Sequence, residues 1–177
     1  MLVIVGPSAS GKTEISRCLI KEYNLKRVIT CTTRPMRRDE VNGRDYYFLS
    51  VEEFKEGIKN NLFIEYTKYN NDYYGTYYKE IADDKIIILD RVGFLNIKKI
   101  LKDKIISFYI ETPLSERKMR MIKRGDTINR IYQKIEYDNQ NFPSKISGID
   151  YYITNDTDSI LESAKKIYDL YKERLGL

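Results

Sequence analysis

Gly6-Pro7-Ser8-Ala9-Ser10-Gly11-Lys12-Thr13 decides how this chain is read. The octet matches G-x-x-x-x-G-K-[ST] at every fixed position, and each fixed position has a physical role. Gly6 and Gly11 let the backbone turn tightly enough for consecutive N–H groups to face one phosphate. Lys12 sets a compact positive charge against the β- and γ-phosphates, and the Thr13 hydroxyl is a hard oxygen donor suited to Mg²⁺. The flanks agree. Leu2-Val3-Ile4-Val5 is an apolar run ending at Gly6, and Glu14 to Tyr23 has helical spacing. A strand, a glycine loop and a helix N-terminus together form an anion site.

The rest of the chain alternates in the same way. Lys85-Ile86-Ile87-Ile88-Leu89-Asp90 reads as a buried central strand, and Ile105 to Ile110 and Tyr151 to Thr154 as two more. Helical patterns cover Phe94 to Leu101, Leu114 to Lys123, Ile128 to Asn141 and Ser159 to Leu175, the last with Asp156-Thr157-Asp158 as a cap region. Phe94, Ile97 and Leu101 form a core stripe. This rhythm predicts an α/β layered fold with a largely parallel sheet. Residues of about 33 to 83 break it. They hold Arg34, Arg37, Arg38 and Arg44, an Asn42-Gly43 turn, a helix over Val51 to Lys59, and short strands at Tyr46 to Leu49, Phe63 to Tyr66 and Tyr73-Tyr74. This segment reads as an inserted α+β subdomain.

Composition narrows the chemistry. The 177 residues suit one domain, with 42% hydrophobic and 32% charged residues. No apolar run approaches the roughly 20 residues that cross a bilayer. A net charge of +5 is spread along the chain among acids, which fits a basic pocket for a small polyanion better than a nucleic-acid surface. With no histidine, Ser-His and Cys-His nucleophiles and the common zinc sites are excluded. Cys18 and Cys31 have no metal or redox spacing and fit a reducing compartment. The core strand that opens the chain leaves no room for a cleaved signal peptide, so the expectation is cytoplasmic.

Several motifs in one order give the chain a family likeness. Beyond the phosphate loop these are Thr32-Thr33-Arg34-Pro35 with Arg37, Glu40-Val41-Asn42-Gly43-Arg44-Asp45-Tyr46, Phe63-Ile64-Glu65, Tyr73-Tyr74-Gly75-Thr76, Ile88-Leu89-Asp90 and Lys123-Arg124-Gly125. The chain resembles guanylate kinases over nearly its whole length. The resemblance implies a P-loop NTPase-type three-layer fold forming one domain. Its core would be 1–32 and 84–177, its GMP-binding subdomain 33–83, and its short lid about 120–135. It also implies ATP-dependent phosphorylation of GMP or dGMP, with Mg²⁺ accompanying ATP, by a monomer or homodimer that engages no nucleic acid or membrane.

Carried over residue by residue, Gly6, Ser8, Ala9, Ser10, Gly11, Lys12 and Thr13, with Arg120 and Asn155, would bind ATP, Asn155 at the adenine. Arg34, Arg37, Tyr46 and Tyr74 would bind the GMP phosphate, and Glu65 the guanine edge with Thr30 and Thr76. Lys12, Arg34, Arg124 and Arg130 would act on the transferring group, and Thr13 and Asp90 would serve the metal. These roles make chemical sense. Guanidinium forks suit a phosphate dianion. A carboxylate matches the paired N1–H and N2–H₂ donors of guanine and discriminates against adenine by about 1–3 kcal/mol.

Two departures leave alternatives open. Val92 stands where the family carries a second guanine-directed acid, next to an added charge at Arg91, and the lid connection between Arg124 and Arg130 is short. A kinase of the same fold with a drifted acceptor, or a non-catalytic binding module, would accommodate both. The intact Lys12 and Thr13 argue against the module.

Overall fold

Leu2, Val3, Ile4 and Val5 form β1 (Leu2–Val5), and all four are buried. A strand that is apolar on both faces must lie inside a sheet covered on both sides. In chain order the elements after β1 are α1 (Lys12–Tyr23), β2 (Lys26–Arg27), β3 (Cys31–Thr32), β4 (Tyr47–Phe48), α2 (Val51–Lys59), β5 (Phe63–Tyr69), β6 (Asp72–Tyr77) and β7 (Lys85–Leu89). There follow α3 (Arg91–Leu101), β8 (Ile106–Glu111), α4 (Leu114–Lys123), α5 (Ile128–Asn141), β9 (Tyr151–Thr154) and α6 (Ile160–Leu175). The structure, a computed structural model, describes residues 1–69, 71–143, 145–155 and 159–177. Among them no helix is long and apolar enough to cross a membrane.

Two compact units emerge, Met1–Lys26 with Ile86–Leu177, and Arg27–Lys85. The first is built on a five-stranded sheet in the order β2-β7-β1-β8-β9. β1 runs parallel to β7 and β8, and β8 parallel to β9, with helices around the sheet. One face of it, through Leu2, Ile4, Ile86, Phe108 and Ile110, packs on Ile15 and Leu19 of α1 and Ala164, Ile167 and Tyr171 of α6. Each fully buried aliphatic side chain contributes about 1.5–3 kcal/mol. Cys18 is half-buried at the edge of this cluster, while Phe94, Ile97 and Leu101 are the buried stripe of α3. Helix α6 is capped by Ser159, whose Oγ accepts the Glu162 N–H at 3.3 Å. The cap region read at residues 156–158 lies outside the described residues.

The second unit takes in Val28 to Thr32 as well as the segment after it. Cys31–Thr32 pairs in parallel with β4 and antiparallel with β6, giving a sheet in the order β4-β3-β6-β5. Sequence periodicity missed β2 and β3, because two residues are too few to show a period. Helix α2 starts with a full capping box, Ser50 Oγ accepting from the Glu53 N–H while the Glu53 carboxylate accepts from the Ser50 N–H. Side chains alternate along β6. Tyr73 and Tyr77 stack on Phe54 and Phe63 at 5.2 and 4.8 Å in the unit's small core. Tyr74 and Thr76 belong to the opposite face.

Glu80 ties the base of this unit together. Its carboxylate, almost fully buried, accepts from the Ile29 N–H at 3.1 Å, the Tyr47 hydroxyl at 2.9 Å and the Lys85 ammonium at 2.9 Å. Burial pushes this carboxyl up, and the three donors outweigh it, holding it below the ordinary glutamate range. A depressed carboxyl stabilises the fold above its unfolded pKa, and that stabilisation is lost as pH falls through the folded value. Glu80→Ala strands all three donors, so urea unfolding should show a loss of about 2–4 kcal/mol near neutral pH that shrinks on acidification. A neutral-pH loss under about 1 kcal/mol would contradict this role.

Candidate active site

The phosphate loop joins β1 to α1, and its glycines are required by space. A Cβ on Gly6 would lie 2.8 Å from the Ile110 carbonyl oxygen. Gly11 adopts φ 97°, and a Cβ there would run into the Asn155 amide. Helix α1 begins at Lys12 rather than Glu14, so Gly11 is its N-cap and no side chain caps the first turn. The first N–H groups of a helix have no partner within it, and the dipole adds positive potential there.

Remote side chains hold the loop's carbonyls. The Lys12 ammonium folds back onto Pro7 O at 2.6 Å. Asn155 Nδ2 and Thr112 Oγ1 donate to Ser10 O at 2.8 and 3.1 Å. The Asn155 side chain also accepts from Ser163 Oγ at 3.2 Å, so this fully buried residue, read from sequence as an adenine contact, has its amide engaged with the loop. Ser8 donates from N and Oγ to Asp138 at 2.9 and 3.1 Å, and its carbonyl accepts from Arg117 Nη1 at 3.3 Å. Thr13, on the first turn of α1, is exposed.

A cavity of ≈270 Å³ opens over this loop, lined by residues 9 to 14 with Arg120 and Arg124. Arg120 Nη2 donates to Asn155 O at 3.2 Å, whereas its buried Nη1 has no partner among the described residues. A buried guanidinium N–H without an acceptor favours an incoming anion. Burial lowers the Lys12 ammonium to about 8, against the opposing pull of the Asp138 charge. Arg124 is held by Asp126 at 2.6 Å, and Lys134 reaches the same carboxylate at 3.1 Å. Arg130 is exposed on the first turn of α5, behind the Thr127 cap. Asp90 caps α3, accepting the Gly93 N–H at 2.7 Å. Val92, in the first turn of that helix, is 51% exposed.

The Arg27–Lys85 unit gathers a second set. Arg34 Nη2 donates to both oxygens of Glu40 at 2.7 and 2.9 Å, and its guanidinium lies 5.7 Å from the ring centres of both Tyr46 and Phe48. Glu40 also accepts the Arg37 N–H at 2.8 Å, while the Arg37 side chain is exposed. The hydrogen bond to Glu40, with smaller help from Tyr74, raises the Arg34 pKa, and the same bond holds Glu40 low. Tyr74 meets the Tyr46 ring edge-on at 6.5 Å. Two residues along β6, Thr76 Oγ1 donates to Glu65 Oε1 at 2.8 Å, next to an irregularity in the pairing of β5 between Phe63 and Glu65. Thr30 lies just before β3, and its carbonyl accepts the Tyr47 N–H at 2.9 Å. Arg34, Tyr46 and Tyr74 thus come together, as do Glu65 and Thr76.

Several side chains at these sites were not identified from sequence, among them Glu40, Thr112, Asp126, Arg117 and Asp138. For the last two a signal existed. Asp138 follows Ile131 and Ile135 on the buried stripe of α5, and Arg117 precedes Met121 on that of α4. A charge on an apolar stripe needs a partner.

Residues 1–172 match the family model described as guanylate kinase. A guanylate kinase of Clostridium tetani is 33% identical over 96% of this chain and 84% of that protein. One from Clostridium acetobutylicum is 34% identical over 89% of this chain and 78% of that protein. Among solved structures, guanylate kinase from Anaplasma phagocytophilum superposes with a TM-score of 0.65 at 23% identity, over 98% of this chain and 84% of that one. Shikimate kinase from Acinetobacter baumannii reaches 0.55 at 12% identity, over 97% and 92%, a likeness of fold alone.

The Lys12 environment makes a calorimetric test available. With its pKa near 8, free Lys12 is mostly neutral in alkaline buffer, whereas a bound polyphosphate favours the charged form. At about pH 9, binding of ADP, whose phosphates are fully ionised there, should take up about one proton, read by titration in two buffers of different ionisation enthalpy. Lys12→Met should abolish the uptake. Binding by the unaltered chain without proton uptake would contradict the assignment.

Proposed function

The chain belongs to the guanylate kinase family, and from that premise we infer that it transfers the γ-phosphoryl group of ATP to GMP or dGMP. The observation that carries the reading is the cavity over the phosphate loop, where Lys12 and the unpartnered Nη1 of Arg120 offer positive charge beside the bare N-terminus of α1.

In this reading the N–H groups of residues 9 to 13 and the Lys12 ammonium hold the β- and γ-phosphates. Ser8 serves by fixing the loop, and Asn155 by holding Ser10. Arg120 neutralises the polyphosphate, and Arg124 exchanges Asp126 for the transferring group. Arg130 follows from the start of α5. Exposed ion pairs such as Arg124–Asp126 are weak enough to be exchanged for a phosphate.

Mg²⁺ fits the donors present. Among the described residues no three acidic or cysteine side chains form a metal cluster, and Mg²⁺ needs none, being held largely by substrate phosphates and water. Thr13 Oγ1 would ligate it, with the exposed Asp90 carboxylate in its hydration shell. Bound there, it would neutralise charge on the phosphate oxygens.

On the acceptor side, Arg34, Arg37, Tyr46 and Tyr74 hold the monophosphate. Contact with the Tyr46 and Phe48 rings and bonding to Glu40 hold the Arg34 guanidinium in place before the ligand arrives. Glu65 reads guanine, its carboxylate oriented by Thr76, with Thr30 assisting. The second acid of the family is absent at Val92, so discrimination rests on Glu65. The attacking phosphate oxygen is already ionised near neutral pH, so a chain without histidine needs no strong general base. Catalysis is in-line positioning and charge neutralisation with water excluded.

Coupled ADP release with GMP, dGMP, AMP, CMP and UMP tests this function. GMP should give a rate well above the ATP-only blank, and Glu65→Gln should raise the GMP KM by about tenfold or more while leaving the ATP KM unchanged. Activity with another monophosphate and none with GMP would overturn the reading.

A further inference from the structure

Ser8 has all three of its polar groups engaged by one buried ion pair. Asp138 Oδ2 accepts the Ser8 N–H at 2.9 Å and Oδ1 the hydroxyl at 3.1 Å, and Arg117 Nη1 donates to Ser8 O at 3.3 Å. Arg117 and Asp138 meet at 2.7 Å, with their side chains only 9% and 2% exposed. The pair therefore sits where a hydrogen bond to charge is strong and an unpartnered charge is costly.

The next residue explains what this clamp holds. Ala9 has φ 59°, a left-handed conformation unfavourable for any residue with a Cβ. Such a backbone persists only where its surroundings fix it. On its N-terminal side Ser8 is fixed by Asp138 and Arg117. On its C-terminal side Ser10 is fixed by Asn155 and Thr112. The Ala9 methyl itself packs against Met121 of α4 and Ile131 and Ile135 of α5. The left-handed residue is thus held at three points, two of them on the helices that carry Arg120, Arg124 and Arg130.

We propose that Asp138 and Arg117 are positioning residues for the donor phosphates: clamped to Ser8, they keep Ala9 left-handed and the loop's N–H groups convergent, and they make the loop, α4 and α5 one unit. Both residues bond the loop backbone and neither lines the cavity over the loop. The loop is preset for ATP, and closure of the arginines must take place in the Arg124–Thr127 connection rather than by sliding α5 past the loop.

This inference rests on the ATP-binding reading above, and its test separates the two. The double variant Arg117→Met/Asp138→Leu replaces the pair with apolar side chains of similar size, which commonly preserves stability. Its urea unfolding should remain a single cooperative transition, showing that the variant still folds. Its affinity for Mg·ATP by calorimetry should fall about tenfold to a hundredfold, with GMP affinity unchanged. Ser8→Ala, which removes only the hydroxyl bond, is the milder variant should the double change not fold, and should weaken Mg·ATP several-fold at unchanged stability. Asp138→Glu should restore much of the affinity lost in Asp138→Asn, because a cavity of ≈230 Å³ lined by Pro7, Arg117, Asp138 and Phe142 has room for one more methylene. A folded double variant, or a Ser8→Ala chain, that binds Mg·ATP like the unaltered protein would reduce the pair to a structural role. An unaltered chain that binds no Mg·ATP would instead overturn the functional reading, and this inference with it.

Discussion

A loop that offers its backbone N–H groups to a phosphate cannot also use them to hold itself together. Most turns close by pairing their own N–H and C=O groups. Between Gly6 and Thr13 the only such bond within the loop is the long one from Ser10 N to Pro7 O at 3.3 Å. Side chains therefore anchor the carbonyls: Lys12 holds that of Pro7 from within the loop, and from elsewhere Arg117 holds that of Ser8 and Asn155 and Thr112 that of Ser10. Those anchors come from the end of β8, from α4 and from the residue after β9. The parallel sheet is what brings these chain-distant segments to the C-terminal end of β1, where ligands bind in open α/β folds.

Charge is handled in the same way at both sets of arginines. Arg34 is held by Glu40 and Arg124 by Asp126, each through contacts at 2.7 Å or less. A free arginine would sample many rotamers and lose that freedom on binding. One held by a carboxylate has already lost much of it. Both carboxylates keep some contact with solvent, Glu40 at 18% and Asp126 at 13% side-chain exposure, and a phosphate of higher charge competes with each for its arginine. Asp138 is the opposite case, since its burial with Arg117 makes it a fixed part of the scaffold.

Much of this was legible in the sequence. The loop, the parallel strands, the five helices of the larger unit and α2 follow from apolar periodicity and from one motif. Tyr74 and Thr76 share a strand face because they are two residues apart, and Glu65 meets Thr76 through the β5–β6 pairing. Three features stayed hidden for physical reasons. Two-residue strands such as Cys31–Thr32 have no period. Asn155 carries a motif-like position, but only the fold brings its amide to Ser10. Asp138 and Arg117 lie 21 residues apart on different helices, so their pairing depends on how α4 packs on α5.

The central claim is that the bound phosphoryl group passes to a nucleotide rather than to water. ³¹P NMR of the chain incubated with Mg·ATP and GMP follows the phosphorus directly. The diphosphate β-phosphorus signal should grow by two for each ATP γ-phosphate lost while the GMP signal falls in step, with little inorganic phosphate. Inorganic phosphate growing in step with ADP, with the GMP signal unchanged, would contradict the claim.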